Sequence, residues 1–225
     1  MRHSAWGRPL AAAATAWLLM LAFATPSRGQ LLINAPGATI TGDRAAWHDL
    51  AAAFSKLTTM SYRAKTSAGG TIASSLEFSP PDSTHTIAQE PWGTLEEVIV
   101  GDETHYRMNT GGVPGTWRCD YPSGLTPEKV NQALAGRLHP TIETSRAPDT
   151  VIDGAPVHAY SYRYTLQDNS QTSSTNLTVY IDARTGLPRR TVGPESLGTA
   201  GPEAVTDFYD YGAPIHIALP ACGTS

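Results

Sequence analysis

Val157-His158-Ala159-Tyr160-Ser161-Tyr162-Arg163-Tyr164 carries the clearest alternation in the chain. Side chains of an extended chain point alternately to opposite faces. His158, Tyr160, Tyr162 and Tyr164 therefore share one face, and Val157, Ala159, Ser161 and Arg163 the other. Asp153-Gly154 is a hairpin turn that joins this strand to one before it. After it, residues 172–181 alternate again, with Leu177, Val179 and Ile181 facing one way.

The same period of two extends outward in both directions. Toward the C-terminus, the turn Asp182-Ala183-Arg184-Thr185-Gly186-Leu187-Pro188 ends that strand and a new one restarts at Arg189. Residues 205–211 and 215–219 read as two more strands. Toward the N-terminus, Met60, Tyr62 and Ala64 alternate with Ser61, Arg63 and Lys65, and Gly69-Gly70 turns the chain. Ile72, Ser74, Leu76 and Phe78 then line one face of the next strand. Pro80-Pro81-Asp82 makes a turn before a strand over 84–89. Residues 95–100 and 103–108 flank Gly101-Asp102, a tight hairpin signal, and Trp117, Cys119 and Tyr121 continue the alternation beyond a Gly-rich loop.

Two segments break the pattern. Asp43 is a good N-cap, and Trp47, Leu50, Phe54 and Leu57 follow at helical spacing. In the second, Thr126 caps, Pro127 takes the first helical position and Gly136 closes. Residues 30–42 are small and turn-rich and read as a poorly ordered lead-in. About nine to eleven strands with two helices predict an α+β domain. Long antiparallel sheets twist and curl. The expectation is a large curved sheet, a half-barrel with the two helices as a lid, over residues 30–225 as a single domain.

The first residues have another purpose. Arg2 and Arg8 precede an uncharged apolar run over 9–24 that ends in Ala22-Phe23-Ala24, one possible cleavage site; Ser27-Arg28-Gly29 is the alternative. This is the pattern of a secretory signal over 1–29, cut between 24 and 30. The run is shorter than the roughly 20 residues needed to span a bilayer. The expected destination is periplasmic or secreted. With Cys119 the first cysteine, no lipid-attachment cysteine stands near the cut, and no permanent membrane anchor is expected. In an oxidising compartment, Cys119 and Cys222 are expected to form a disulfide; two buried thiols are the alternative.

Composition narrows function further. The chain has 16 Lys+Arg against 20 Asp+Glu, a net charge of −4, and no basic cluster. Nucleic acid is therefore not an expected partner. The seven histidines show no metal-ligand spacing, the cysteines form no C-x-x-C, and Gly-x-Ser-x-Gly is absent. No catalytic residue, metal or cofactor is expected, and the chain is not read as an enzyme.

The order of motifs resembles a known superfamily. These are Val100-Gly101-Asp102-Glu103-Thr104-His105-Tyr106-Arg107, Gly115-Thr116-Trp117, Tyr180-Ile181-Asp182-Ala183-Arg184-Thr185-Gly186-Leu187-Pro188-Arg189, then Val205 through Gly212 and Pro214-Ile215. Over residues 43–220 the chain is similar to the periplasmic lipoprotein carriers of the Lol type and to the mycobacterial lipid-carrier lipoproteins. The resemblance implies a half-barrel whose helices plug its mouth and whose cavity holds acyl chains. The resemblance offers Arg63 as a candidate for a cavity arginine of the carriers, by its place on the first strand alone.

The expected ligand contacts are Trp47, Leu50 and Phe54 on the helix, Tyr62, Ile72, Leu76 and Phe78 on the early strands, and Tyr106, Tyr160, Tyr162, Val179 and Phe208 on later ones. Plain core packing is the alternative reading of these rows. Each ligand methylene buried there would contribute about 0.8 kcal/mol. The implied function is a carrier or binding protein for a hydrophobic small molecule or lipid. The alternative is an envelope sensor or interaction module of the same fold that binds a protein or lipoprotein.

Overall fold

The computed structural model describes residues 38–119, 140–168, 171–194 and 203–223. The expected signal and the expected helix over 126–136 lie outside them. Eleven strands form one sheet in the order β1-β7-β8-β9-β10-β11-β2-β3-β4-β5-β6. Their ranges are β1 Thr39–Gly42, β2 Tyr62–Ala68, β3 Thr71–Ser79, β4 Ser83–Glu90, β5 Gly93–Val100 and β6 Glu103–Asn109. The second half comprises β7 Thr141–Ile152, β8 Ala155–Asp168, β9 Gln171–Asp182, β10 Pro188–Pro194 and β11 Glu203–Tyr209. Every pairing is antiparallel except that of β1 with β7. One helix, α1 at Arg44–Lys56, stands among the described residues. Of the two helices expected as a lid, the first is present and the second lies outside the described residues.

Local chemistry explains most element boundaries. Asp43 caps α1 as its sequence position suggests: its Oδ1 accepts from the N–H groups of Ala45 (2.8 Å) and Ala46 (3.2 Å). The lead-in is not irregular to its end, because 39–42 add a short parallel strand beside β7. Gly42 makes the transition into the helix, with φ +80 and the Thr144 carbonyl oxygen only 2.3 Å from where a Cβ would stand. Gly42→Ala therefore combines a left-handed backbone with a backbone clash. The expected result is a loss of at least about 1 kcal/mol in a urea titration. Pro148 falls where the β7–β8 register shifts, between Ala147 and Thr150, a place where a missing N–H is tolerated.

The helix-bearing face holds two packed clusters. The first joins Ala46, Leu50 and Ala53 of α1 to Ile142, Tyr160, Tyr162, Tyr164, Val179 and Ile181. The second gathers Leu57, Tyr62, Ala64, Leu76 and Phe78. Phe54 packs against both. The small Ala46 and Ala53 let the helix lie close to the sheet. Its C-terminal Lys56 donates through Nζ to the carbonyls of Thr185 (3.0 Å) and Gly186 (3.3 Å) in the β9–β10 hairpin.

The opposite face is charged. Arg63 donates to Glu77 and Asp210, His85 meets Glu96 at 2.9 Å, and Arg107 donates to Glu96 while lying 4.7 Å over the Trp117 ring. This ladder crosses β2 to β6. Glu96 is the best-enclosed carboxylate in it, with its side chain 13% exposed. Burial acts to raise its pKa, but donation by Arg107 and His85 outweighs that and holds it below the usual 4.5. A carboxyl with a depressed folded pKa stabilises above its unfolded pKa, and that contribution is lost as pH falls through the folded value. Stability should decline from about pH 5 toward pH 3. Glu96→Gln should flatten that acid limb when urea midpoints are compared at several pH values.

Beyond β11 the chain crosses this charged face as a strap. Gly212 N–H donates to the Ser61 carbonyl at 2.8 Å, and the Ser61 and Ser79 hydroxyls donate to the carbonyls of Ala213 and Ile215. His105 Nδ1 lies 2.8 Å from the Pro220 carbonyl oxygen. Residues 213, 215, 217 and 219 are half-buried and 214, 216 and 218 exposed. The alternation that predicts a strand over 215–219 is real, but this segment joins no ladder. Trp117 and Cys119 likewise form no named strand; the segment meets β6 through one isolated bridge, Tyr106 with Arg118. The expected disulfide is present: Cys119 and Cys222, 103 residues apart, tie the strap's end beside β6.

A candidate hydrophobic site on the helix-bearing face

Cross-strand register puts the candidate ligand contacts on one face with a single exception. Trp47, Leu50, Phe54, Tyr160, Tyr162 and Val179 belong to the first cluster or pack on it. Tyr62, Leu76, Phe78 and Phe208 belong to the second or pack on it. Tyr106 continues that face through the row Tyr106–Glu97–Thr86–Leu76–Ala64–Phe208. Ile72 departs from it. A bulge at Thr66/Ser67 places an extra residue on β3, so Ile72 pairs with Ser67 rather than with the Thr66 row. A one-residue slip turns a side chain to the other face, and Ile72 is 48% exposed there. Arg63 is also on the opposite face, between Glu77 and Asp210, and does not reach this layer.

Burial divides the remaining candidates. Leu50, Tyr62, Leu76, Phe78, Tyr160, Tyr162 and Val179 are all buried against one another or against the helix. In this arrangement α1 fills the space over β7–β9. Trp47, Phe54, Tyr106 and Phe208 are only half-buried and form the accessible rim. Tyr62 packs its ring 5.4 Å from Phe78 and 6.0 Å from both Phe208 and Tyr211.

Tyr62, Tyr160 and Tyr164 present no charge to this layer. Burial, then the neighbouring Tyr211, pushes the Tyr62 phenol well above its usual range. Burial pushes Tyr164 up to about 12. Tyr160 is also raised to about 12, by burial first and then by its hydrogen bond to Asp49, to which its hydroxyl donates at 2.8 Å. Thr84 and Thr86 add buried hydroxyls to the same face, with no hydrogen-bond partner for either Oγ1 among the described residues.

A cavity of about 410 Å³ opens beside the second cluster. Leu187, Pro188, Phe208 and Tyr211 form its apolar wall; Asp153, Asp182, Arg184, Arg189, Asp207 and Asp210 make the rest of the lining strongly charged. Its volume lies in the range of small-molecule sites, roughly 300–1,000 Å³. Tyr211 is fixed by donating its hydroxyl to the Pro188 carbonyl. Asp182 holds the hairpin at the rim by accepting from the N–H groups of Arg184 and Thr185. Of the expected ligand contacts only Phe208 lines this cavity. Leu187, Pro188 and Tyr211 were missed as contacts, although the turn at 182–188 and the aromatic run at 208–211 are the two densest motifs near the C-terminus.

No family model matches the chain, and no curated protein matches its sequence. Solved structures do resemble it. Lipoprotein LppX from Mycobacterium tuberculosis matches with a TM-score of 0.51 at 12% identity, over 79% of this chain and 100% of its own. LprF from Mycobacterium bovis matches with a TM-score of 0.47 at 14% identity, over 80% and 99%. MucB of Pseudomonas aeruginosa, in its complex with MucA, gives 0.36 at 15% identity, over 71% of this chain and 54% of that one. The class defined here is a large, mostly antiparallel open sheet carrying a helix on one face. The chain shares that fold with LppX. Among the described residues, no helix is long and apolar enough to cross a membrane.

Proposed function

We propose that this chain is an exported binding protein or carrier for a hydrophobic ligand, a lipid or an acyl chain, and that it acts by binding rather than by covalent chemistry. The observation that carries the reading is the cavity of about 410 Å³ whose apolar wall, Phe208 and Tyr211, is continuous with the Tyr62–Phe78 cluster under α1. Such a site takes an apolar chain at one end and leaves polar atoms at the Asp182–Arg189 rim for a head group. The Lol-type resemblance, the LppX-like fold and a disulfide suited to an oxidising compartment point the same way.

The test is native mass spectrometry of the protein purified from the envelope or medium of its producing cell, with displacement of a fluorescent fatty acid. A co-purifying lipid and saturable displacement are expected. Phe208→Ala removes one of the cavity's aromatic rings and should weaken binding about tenfold or more, because an apolar side chain of that size contributes roughly 1.5–3 kcal/mol. A protein that carries no lipid and binds no fatty acid overturns the proposal. A stoichiometric protein partner pulled from envelope extract would instead support the interaction module.

A further inference from the structure

The end of the strap brings together three groups that no sequence spacing joins. His105 Nε2 lies 4.0 Å from Cys222 Sγ, and the ligand atoms of His105, Cys119 and Cys222 all fall within 4.8 Å of one another. Glu103 Oε2 is 3.9 Å from the same Nε2. The imidazole is already oriented. Its Nδ1 faces the Pro220 carbonyl, which can only accept, so Nδ1 is the donor, and in the neutral ring the Nε2 lone pair is then turned toward the sulfurs. An N–H to a carbonyl on the far ring nitrogen is how metal-binding histidines are usually held.

We propose that reduction of the Cys119–Cys222 disulfide creates a zinc-class metal site built from both thiolates, His105 Nε2 and, in the fourth position, Glu103 or water. Tetrahedral zinc with Zn–S near 2.3 Å and Zn–N near 2.0 Å sets ligand atoms about 3.3–3.8 Å apart. The distances from Nε2 to Glu103 and Cys222 are already close to that, and the two sulfurs need only part to it. A dithiol reductant supplies the two electrons: the S–S bond breaks, two thiols form, and the reductant leaves as its own disulfide. The metal ion then displaces both thiol protons to solution. His105 is 9% exposed and Cys222 is exposed, so the ion reaches the site from solvent. The metal would take over the disulfide's task of holding the strap on the sheet.

The experiment uses the full mature chain, oxidised and phosphine-reduced, titrated anaerobically with Co²⁺ and then Zn²⁺. The reduced chain should take up one Co²⁺ with the intense visible bands of tetrahedral thiolate coordination, and Zn²⁺ should displace it. The oxidised chain should show none of this. His105→Ala should weaken the affinity at least about tenfold, and Cys119→Ser should abolish the thiolate bands. Circular dichroism of the reduced chain accompanies the titration. A folded reduced chain that leaves Co²⁺ in its aquo form, a His105→Ala protein that binds as tightly as the parent, or a reduced chain that loses its sheet even with Zn²⁺ present each overturns the proposal.

Discussion

Cys119→Ala together with Cys222→Ala is expected to lower the unfolding free energy by up to about 4.7 kcal/mol, the chain-entropy value for a closed loop of about a hundred residues. The bridged residues are 103 apart, and the loop encloses β7 to β11. Without the bridge, the strap keeps hydrogen bonds at Ser61, Ser79 and His105 and that of the Gly223 N–H to the Trp117 carbonyl. Each of those contributes about 1 kcal/mol at most and competes with water. For a domain of this size the change corresponds to a fall in Tm of roughly 10–15 °C. Guanidinium titration of the parent and the double variant measures it. A loss below about 1 kcal/mol would show that hydrogen bonds and packing anchor the strap without the bridge. The pair of alanines is preferred to a single change because it leaves no thiol to cross-link chains.

The strand pattern was legible because most strands bury one face. The Tyr160–Tyr162–Tyr164 row, the Gly101-Asp102 hairpin and the Asp43 cap all stand where local chemistry puts them. The failures share a cause: they depend on residues distant in sequence. Residues 39–42 are too few and too polar to show a period, and they become a strand only because β7 offers a parallel edge. Residues 215–219 alternate because one side packs on the sheet, yet alternation reports one-sided burial rather than a ladder. Ile72 shares the spacing of Leu76 and Phe78, and a single bulge turns it to the other face.

The functional reading has the same limit. The aromatic rows on the helix-bearing face were visible as rows, but whether a ring meets a ligand or another ring is decided by where α1 lies. The cavity is built from a hairpin and the exit of β11, two turns that carry no periodic signal. The grouping of His105 with the cysteines joins β6, the segment after it and the end of the strap. Metal-ligand spacing within one segment could not have exposed it.

Leu50 and Phe54 sit one turn apart on α1, and replacing each by alanine should separate fold from function. Leu50 is completely buried between the helix and the tyrosine row. Leu50→Ala removes its contacts and leaves a hole that the surrounding strands cannot close, at an expected cost of about 3–4 kcal/mol. Phe54 is half-buried and packs against both clusters, at the seam where α1 passes from β7–β9 toward the Tyr62–Phe78 wall. Phe54→Ala should cost less stability, about 1–2 kcal/mol, because part of the ring already faces solvent. If an acyl chain lies along that seam, the same change should weaken fatty-acid binding by about tenfold. Leu50→Ala, measured well below its own unfolding midpoint, should then bind nearly as the parent does. Denaturant titrations and fluorescent fatty-acid displacement on the two variants supply the four numbers. Equal losses of affinity, each following the loss of stability, would mean that α1 is only part of the core and that the ligand, if any, lies wholly in the cavity beyond it.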